Sequence, residues 1–275
     1  CHTFKNNDGR FFALHARLCK DGTLIFKGSS PAMKADLKCD ALFSAPAYPA
    51  WHPTADNLFA FSVNKTRQAS YITHPGKVEV LDSQSGLVLY DAAKNEISPI
   101  QLDDGLIATY PDWSPDGKTL YYTVADVRGL PPASDEKGRF EAVFQHSTNL
   151  FDHLASRAFD PETKTFGAPH VLVNGQQSKA SIAFPRVSPD GAYLMMTVLG
   201  FANFPVWHAE SDLWLYNIRT KEARALAEAN SPDADSYHAW GSNGRWFVFG
   251  SRRDDGIHTR PFLAYFDPAT GKAGK

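Results

Sequence analysis

The chain has 275 residues, a formal net charge of −2 and 43% hydrophobic residues, enough for a sizeable core in one large β domain or two ordinary ones. Lys and Arg are scattered rather than striped, which argues against a nucleic-acid backbone as partner, and no apolar run reaches the ~18 residues of a membrane span. Aromatics at 13%, with 18 Pro, 19 Gly and no long amphipathic helical period, read as an all-β chain with many turns.

A pattern recurs from the first residue. "CHTFKNNDGRFFALHA" begins at Cys1, "YPAWHPTADNLFAFS" at Tyr48, "YPDWSPDGKTLYYT" at Tyr110, "FPRVSPDGAYLMMT" at Phe184 and "YHAWGSNGRWFVFG" at Tyr237. The anchors at the fourth position are Phe4, Trp51, Trp113, Val187 and Trp240. Each copy reads as a strand A ending at the anchor, a tight turn and a β-rich strand B. In the turn Gly supplies positive φ and Asp or Asn bonds back to the backbone. A second element follows each time: "LVLYDAAKNEI", "SRAFDPETKTF", "LWLYNIRTKEA" and "LAYFDPATGKA". It reads as a strand C, a polar turn and the start of a strand D.

Four antiparallel strands per repeat make a propeller blade. An ordinary β-sandwich would not repeat two different elements in the same order. The blades run over approximately 1–46, 47–107, 108–177, 178–233 and 234–275. The last copy stops at "DPATGKAGK", where no strand D is legible. A ring must close to satisfy its edges, so the chain is expected to be a piece of a longer polypeptide. The N-terminus has no charged-then-apolar leader, so any signal peptide has been removed or never existed.

These Ser-Pro-Asp-Gly hairpins resemble the TolB-like, WD-like β-propeller repeats of bacteria. The resemblance covers nearly the whole chain and is specific for architecture. It implies six blades in the intact molecule, an exported, periplasmic or envelope-associated protein, and partner proteins of the cell envelope. No functional residues of that family match this sequence.

Topology sorts the connections. The A–B and C–D turns share one face, and the B–C and D–A connections share the other. The B–C connections are long: roughly 64–86, 125–153, 199–212 and 251–261. Long loops gathered on one face of a rigid scaffold are the expected binding surface. There "VWHAESDLW" places Trp207, His208, Glu210 and Asp212 at one rim, and "FQHSTN" places Gln145 and His146 at another. His74 and His258 come from two further loops. His2 and His238 begin strands A and are expected to open toward the same face near the axis.

Imidazoles converging from separate blades are candidate ligands for a divalent metal. Some propeller lyases that cleave acidic sugars, with three His and a Gln around a metal, resemble this plan. No fixed spacing links these histidines, and loop anchoring accounts for each. The turn residues Asp8, Asp116 and Asp190 are turn formers. No Gly-x-Ser-x-Gly elbow and no alternating strand–helix segment point to hydrolase chemistry.

Cys1-His2 match the last two residues of a covalent haem motif, C-x-x-C-H, whose His ligates iron. The other Cys would lie three residues upstream, and the residues before Cys1 decide this reading. A lipid-bearing first Cys of a lipoprotein is the rival. It fits less well, because Cys1 aligns with Tyr48 and Tyr110 at the start of an inner strand. Cys19 and Cys39 lie toward the same face, and a disulfide between them is open at marginal reach. It would suit an oxidising compartment.

The reading is therefore a non-catalytic, exported propeller that binds a protein or glycan through its long-loop face, with no cofactor. The alternatives are a metal-dependent lyase or hydrolase using the loop histidines, and an electron-transfer protein with haem c at Cys1-His2.

Overall fold

The structure is a computed structural model, and it describes residues 2–16, 22–35, 37, 42–70 and 78–274. It holds five four-stranded antiparallel sheets, each built from consecutive strands. Blade one is β1 (His2–Phe4), β2 (Phe11–Ala16), β3 (Gly22–Lys27) and β4 (Met33–Ala35). Blade two is β5 (Pro46–Trp51), β6 (Leu58–Ser70), β7 (Val78–Asp91) and β8 (Glu96–Ile100). Blade three is β9 (Leu106–Trp113), β10 (Thr119–Asp126), β11 (His153–Asp160) and β12 (Thr165–Val173). Blade four is β13 (Ser181–Val187), β14 (Tyr193–Leu199), β15 (Asp212–Asn217) and β16 (Ala223–Ala225). Blade five is β17 (Asp235–Trp240), β18 (Trp246–Ser251), β19 (Arg260–Asp267) and β20 (Lys272–Gly274).

The repeated turns form as their chemistry requires. Asp116 Oδ1 accepts from the Lys118 N–H and the Ser114 hydroxyl, and the Ser114 Oγ accepts from the Thr119 N–H. Ser188 and Asp190 repeat this set, and Asn243 Oδ1 takes the Arg245 N–H. In each turn a glycine (Gly117, Gly191 or Gly244) has a φ near +70°. The strand C turns use the same device, with Asp91, Asp160, Asn217 and Asp267 capping the next backbone N–H groups.

Two features of the repeat are resolved only in three dimensions. The first-position aromatics Tyr48, Tyr110, Phe184 and Tyr237 all have φ between 47° and 54° at β-bulges in the inner strands. A left-handed backbone at a bulky residue is rare, and here it aims each ring at the axis. Tyr110 and Phe184 meet at 4.1 Å between ring centroids, Tyr48 and Tyr110 at 4.7 Å, and Phe184 and Tyr237 at 4.6 Å. Blade one's equivalent, Cys1, lies outside the described residues.

The fourth-position anchors pack sideways against the preceding blade. Trp51 joins Ala13 and Ile25 of blade one, Trp113 joins Ala50 and Leu87 of blade two, and Trp240 joins Met195 and Leu215 of blade four. The indole N–H of Trp113 donates to Ala50 O at 3.2 Å, and that of Trp240 to Arg186 O at 3.0 Å. Each acceptor is the carbonyl just before the previous anchor.

Four expectations need correction. Blade five does have a strand D, β20, which pairs with β19 at Tyr265, Phe266 and Asp267. The connection read as irregular over 64–86 is mostly a ribbon, because β6 and β7 keep pairing out to Ser70 and Val78. The stretch 125–153 holds a helix, α1 (Glu136–His146), capped by Asp135 on the Gly138 N–H. His238 does not open toward the axis: its Nε2–H donates to Met195 O at 3.0 Å between blades four and five. Burial holds its pKa down at about 3, so it is a neutral core imidazole.

A Cβ at Gly117 would lie 2.3 Å from His52 Cε1, at a φ of +72°. Gly117→Ala is expected to cost roughly 1–3 kcal/mol from backbone strain alone, with the clash added. Urea unfolding should show the lowered midpoint, while the equivalent Gly191, where an added Cβ would come no closer than 3.7 Å to Pro115, should be the milder site.

Candidate functional site

The loop-side connections of blades two, three and four are packed together rather than splayed. Leu81 on the ribbon, Val143 on α1 and Ala202 on the blade four connection form a small apolar cluster with Leu130, Phe140, Leu150 and Phe201. Glu136 at the start of α1 pairs with Lys65 at 2.7 Å and Arg67 at 2.8 Å on the ribbon. These two cations hold its pKa down at about 2. A short parallel bridge joins Phe151 to Ala202. The result is a cap over one side of the loop face.

Beneath the cap lies a buried polar network. Asp82 accepts from Asn64 Nδ2 at 2.7 Å, Asn203 Nδ2 at 2.8 Å and the Thr66 hydroxyl. Asn64 Nδ2 also donates to Thr109 Oγ1, and the Tyr110 hydroxyl donates to Asn203 O at 2.9 Å. The network thus ties the axial aromatics to the cap. Burial raises the pKa of Asp82 despite its three donors. Burial raises that of Asp152 well above the carboxylate range, with the Asp82 charge adding to it.

His208 is only 3% exposed. Its Nδ1 lies 2.9 Å from Glu210 Oε1 and its Nε2 3.2 Å from Glu79 Oε2 on β7. Burial opposes a charge on the imidazole, but the two carboxylates outweigh it and hold the pKa at about 9. Glu210 is held at about 2 by the His208 it faces. At neutral pH the group is an imidazolium between two carboxylates, and it clamps the blade four connection to the blade two ribbon.

The neighbouring Trp207 has a different partner. It ends a 3-10 turn, Pro205–Trp207, and lies half-buried with the Arg252 guanidinium 4.2 Å over its ring. Arg252 comes from the blade five loop and is fixed by Nε–H donation to Thr259 Oγ1. This stack forms a shelf between the blade four and blade five connections, with Arg252 itself only 8% exposed and the half-buried Trp207 ring the part left partly open.

The structure places the remaining candidates as follows. Asp212 is half-buried at the start of β15, its pKa raised by burial and by Asp235. Gln145 is exposed on α1. His146 bonds Ala142 O one turn back, and His258 is exposed and bonds Asp255 at 2.9 Å. His2 is exposed on β1, edge-on to Phe4. His74, Cys1, Cys19 and Cys39 lie outside the described residues, so the haem, lipid and disulfide readings rest there too. Trp207, His208 and Glu210 lie on the connection that enters β15 at Asp212; among the described residues His146, His208 and His258 each bond within their own surroundings. Among the described residues there is no group of three or more His, Cys, Asp or Glu able to hold a metal. Asn64, Glu79, Asp82, Asp152 and Asn203 were missed. The one available signal was the strand-like alternation of "VEVLDSQSGL", masked by reading that stretch as a loop.

No protein-family model matches the chain, and no curated protein matches it. Solved structures do. A candidate TolB from Agrobacterium tumefaciens is matched at a TM-score of 0.58 and 15% identity, over 99% of this chain and 78% of that one. TolB from Acinetobacter baumannii is matched at 0.51 and 13%, over 92% and 48%. The fold is that of the TolB-like β-propellers. An oligogalacturonate lyase in complex with manganese shares it, at 0.59 and 15% over 98% of this chain and 62% of that one. The chain therefore spans 62% and 48% of the lyase and of the Acinetobacter TolB. No helix among the described residues is long and apolar enough to cross a membrane.

Two predictions test the cap. His208→Ala leaves Glu79 buried without its partner and is expected to cost about 3–5 kcal/mol, read by chemical unfolding. The wild-type clamp is fully present below the unfolded His pKa near 6.5 and is lost as pH rises through about 9. The wild-type advantage over His208→Ala should therefore shrink between pH 6.5 and 10. Asp152 carries the opposite sign: its raised pKa means the folded state pays for ionisation above pH ~4. Asp152→Asn is expected to raise the melting temperature at pH 7 and to lose that advantage in acid.

Proposed function

We propose that this propeller is a non-catalytic, exported binding module that takes a protein or glycan partner on its loop face. The observation that carries this reading is the Trp207–Arg252 shelf. A half-buried Trp ring, backed by a buried guanidinium from the neighbouring connection and carried beside a cap pinned by ion pairs, is a preorganised anchor of the type enriched in binding hot spots. The Trp ring suits a sugar face or an aromatic side chain. Exposed Phe144 on α1 and Ile257 on the blade five loop add apolar contact on the same face. The fold shared with TolB proteins supports a partner of the cell envelope by analogy of architecture.

His208 acts within this reading as a positioning residue: it fixes the connection that carries Trp207 and is itself covered. A metal-dependent lyase is the second class, supported by the shared fold of a manganese-bound lyase; it needs ligands drawn together in a way that the described histidines are not.

Affinity capture from envelope extracts with the wild-type protein as bait should enrich a partner that Trp207→Ala loses, at a cost of ~2 kcal/mol or more in binding and with an unchanged melting temperature. Unchanged binding by folded Trp207→Ala would remove the shelf from the interface. Turnover of an acidic oligosaccharide that depends on added Mn²⁺ would replace this reading with the lyase.

A further inference from the structure

Asp152 carries a buried carboxylate that no donor answers. It is 5% exposed, and among the described residues no hydrogen bond or ion pair reaches its side chain. Its backbone is fixed: the N–H donates to Ser181 Oγ at 2.8 Å, and the carbonyl accepts from the Ile182 N–H at 3.2 Å. The parallel bridge of Phe151 with Ala202 brings the next residues, Asp152 and Asn203, alongside one another. Asn203 Nδ2 in turn reaches Asp82 at 2.8 Å. Two carboxylates thus share one buried site, and the Asp82 charge adds to burial in opposing ionisation of Asp152. A buried carboxylate with neither a donor nor a counter-charge is unfavourable.

A second orphan lies in the same network. Asn64, 8% exposed, directs its amide hydrogens at Asp82 Oδ2 and Thr109 Oγ1, at 2.7 and 3.0 Å. Those two acceptors fix which way the amide points. Its Oδ1 is then buried without a donor among the described residues, whereas buried polar oxygens are nearly always paired. The Tyr110 hydroxyl gives its hydrogen to Asn203 O at 2.9 Å, so its oxygen keeps lone pairs of its own. Burial raises the pKa of this phenol, and the charges of Asp82 and Asp152 are among those that add to the rise. The surplus here is one of acceptors, and all of them are oxygen: two carboxylates, an amide carbonyl and a phenol.

We propose that Asp82 and Asp152 hold a hard divalent cation, with Asn64 Oδ1 and the Tyr110 hydroxyl as neutral oxygen donors. Two negative charges call for two positive ones, and an all-oxygen set suits a hard ion. Calcium, whose coordination is flexible, fits irregular donors better than magnesium, which demands a near-ideal octahedron. The set has fewer acids than the three or more His, Cys, Asp or Glu of a conventional centre, and amide and phenol oxygens make up the rest. It contains no imidazole, since His208 is engaged by Glu79 and Glu210. The ion joins the blade two ribbon at Asn64 and Asp82, the axis at Tyr110 and the residue before β11, Asp152. Its role is to lock the cap from below rather than to meet a substrate.

The test titrates protein stripped with EDTA against Ca²⁺, read by calorimetry and by melting temperature. Wild type should bind a single ion and, at about 100-fold excess over its Kd, melt ~5 °C or more higher. Asp152→Asn keeps the shape and removes the charge, and it should bind at least ~10-fold more weakly. Asp103→Asn, at an exposed acid outside the network, should bind as wild type does. In metal-free protein Asp152→Asn is the more stable form; saturating Ca²⁺ should reverse that order. Hydrogen exchange of the α1 amides should slow on Ca²⁺ addition in wild type and not in Asp152→Asn. Wild type that binds no Ca²⁺ overturns the proposal. Equal binding by Asp152→Asn also overturns it, since the ion then sits elsewhere.

Discussion

One contact, repeated in blades two, three and five, organises this molecule: a Trp anchor at the end of the inner strand packs against the blade before it. Where the anchor is Trp113 or Trp240, the indole N–H also reaches the preceding blade's backbone carbonyl. The ring burial is non-directional and supplies most of the stabilisation, roughly 1.5–3 kcal/mol for a large side chain. The hydrogen bond adds less but sets register, because an indole buried without an acceptor would carry a desolvation cost. Sheets that are apolar on both faces can stack only with another such sheet on each side.

The axial aromatics solve a second problem. Inner strands converge where little room remains, and a regular strand would point its side chains along the sheet faces. A bulge with one residue in the left-handed region turns Tyr48, Tyr110, Phe184 and Tyr237 inward. The strain this stores, of order 1–3 kcal/mol at each site, is offset by ring contacts and by burial. Tyr110 then passes the constraint upward through its hydroxyl to Asn203. The cap is held from below by this polar network and from its side by the His208 clamp and the Glu136 pairs. Trp207 inherits its position from all three.

The periodic elements of the fold were readable in the residues. Asp-Gly and Asn-Gly turns, the A–B hairpins and the strand C turns depend on local chemistry within a few positions, and they stand where the pattern puts them. The ribbon of β6 and β7 was not readable, because "NKTRQAS" lacks the β-branched alternation of a strand and pairs only because β7 lies beside it. Helix α1 was hidden for a related reason: "EKGRFEAVFQH" is mostly polar, and its apolar Val143 and Phe140 find a surface only in the ribbon and the blade four connection. Strand β20 is three residues long, too short for any pattern to declare.

For the site, sequence places Trp207, His208 and Glu210 on the one connection that leads into Asp212, which chain proximity alone guarantees. Nothing local shows that His208 turns inward to Glu79, 129 positions away, or that Trp207 stacks against Arg252 of the blade five loop. Sequence by itself determined the repeat, the strand order and the turn chemistry, because those follow from interactions between near neighbours in the chain. Tertiary structure alone decided which polar groups are buried, which imidazoles carry charge and which apolar faces stay uncovered. Burial and charge depend on what other blades bring into contact, and that information is absent from any single stretch of residues.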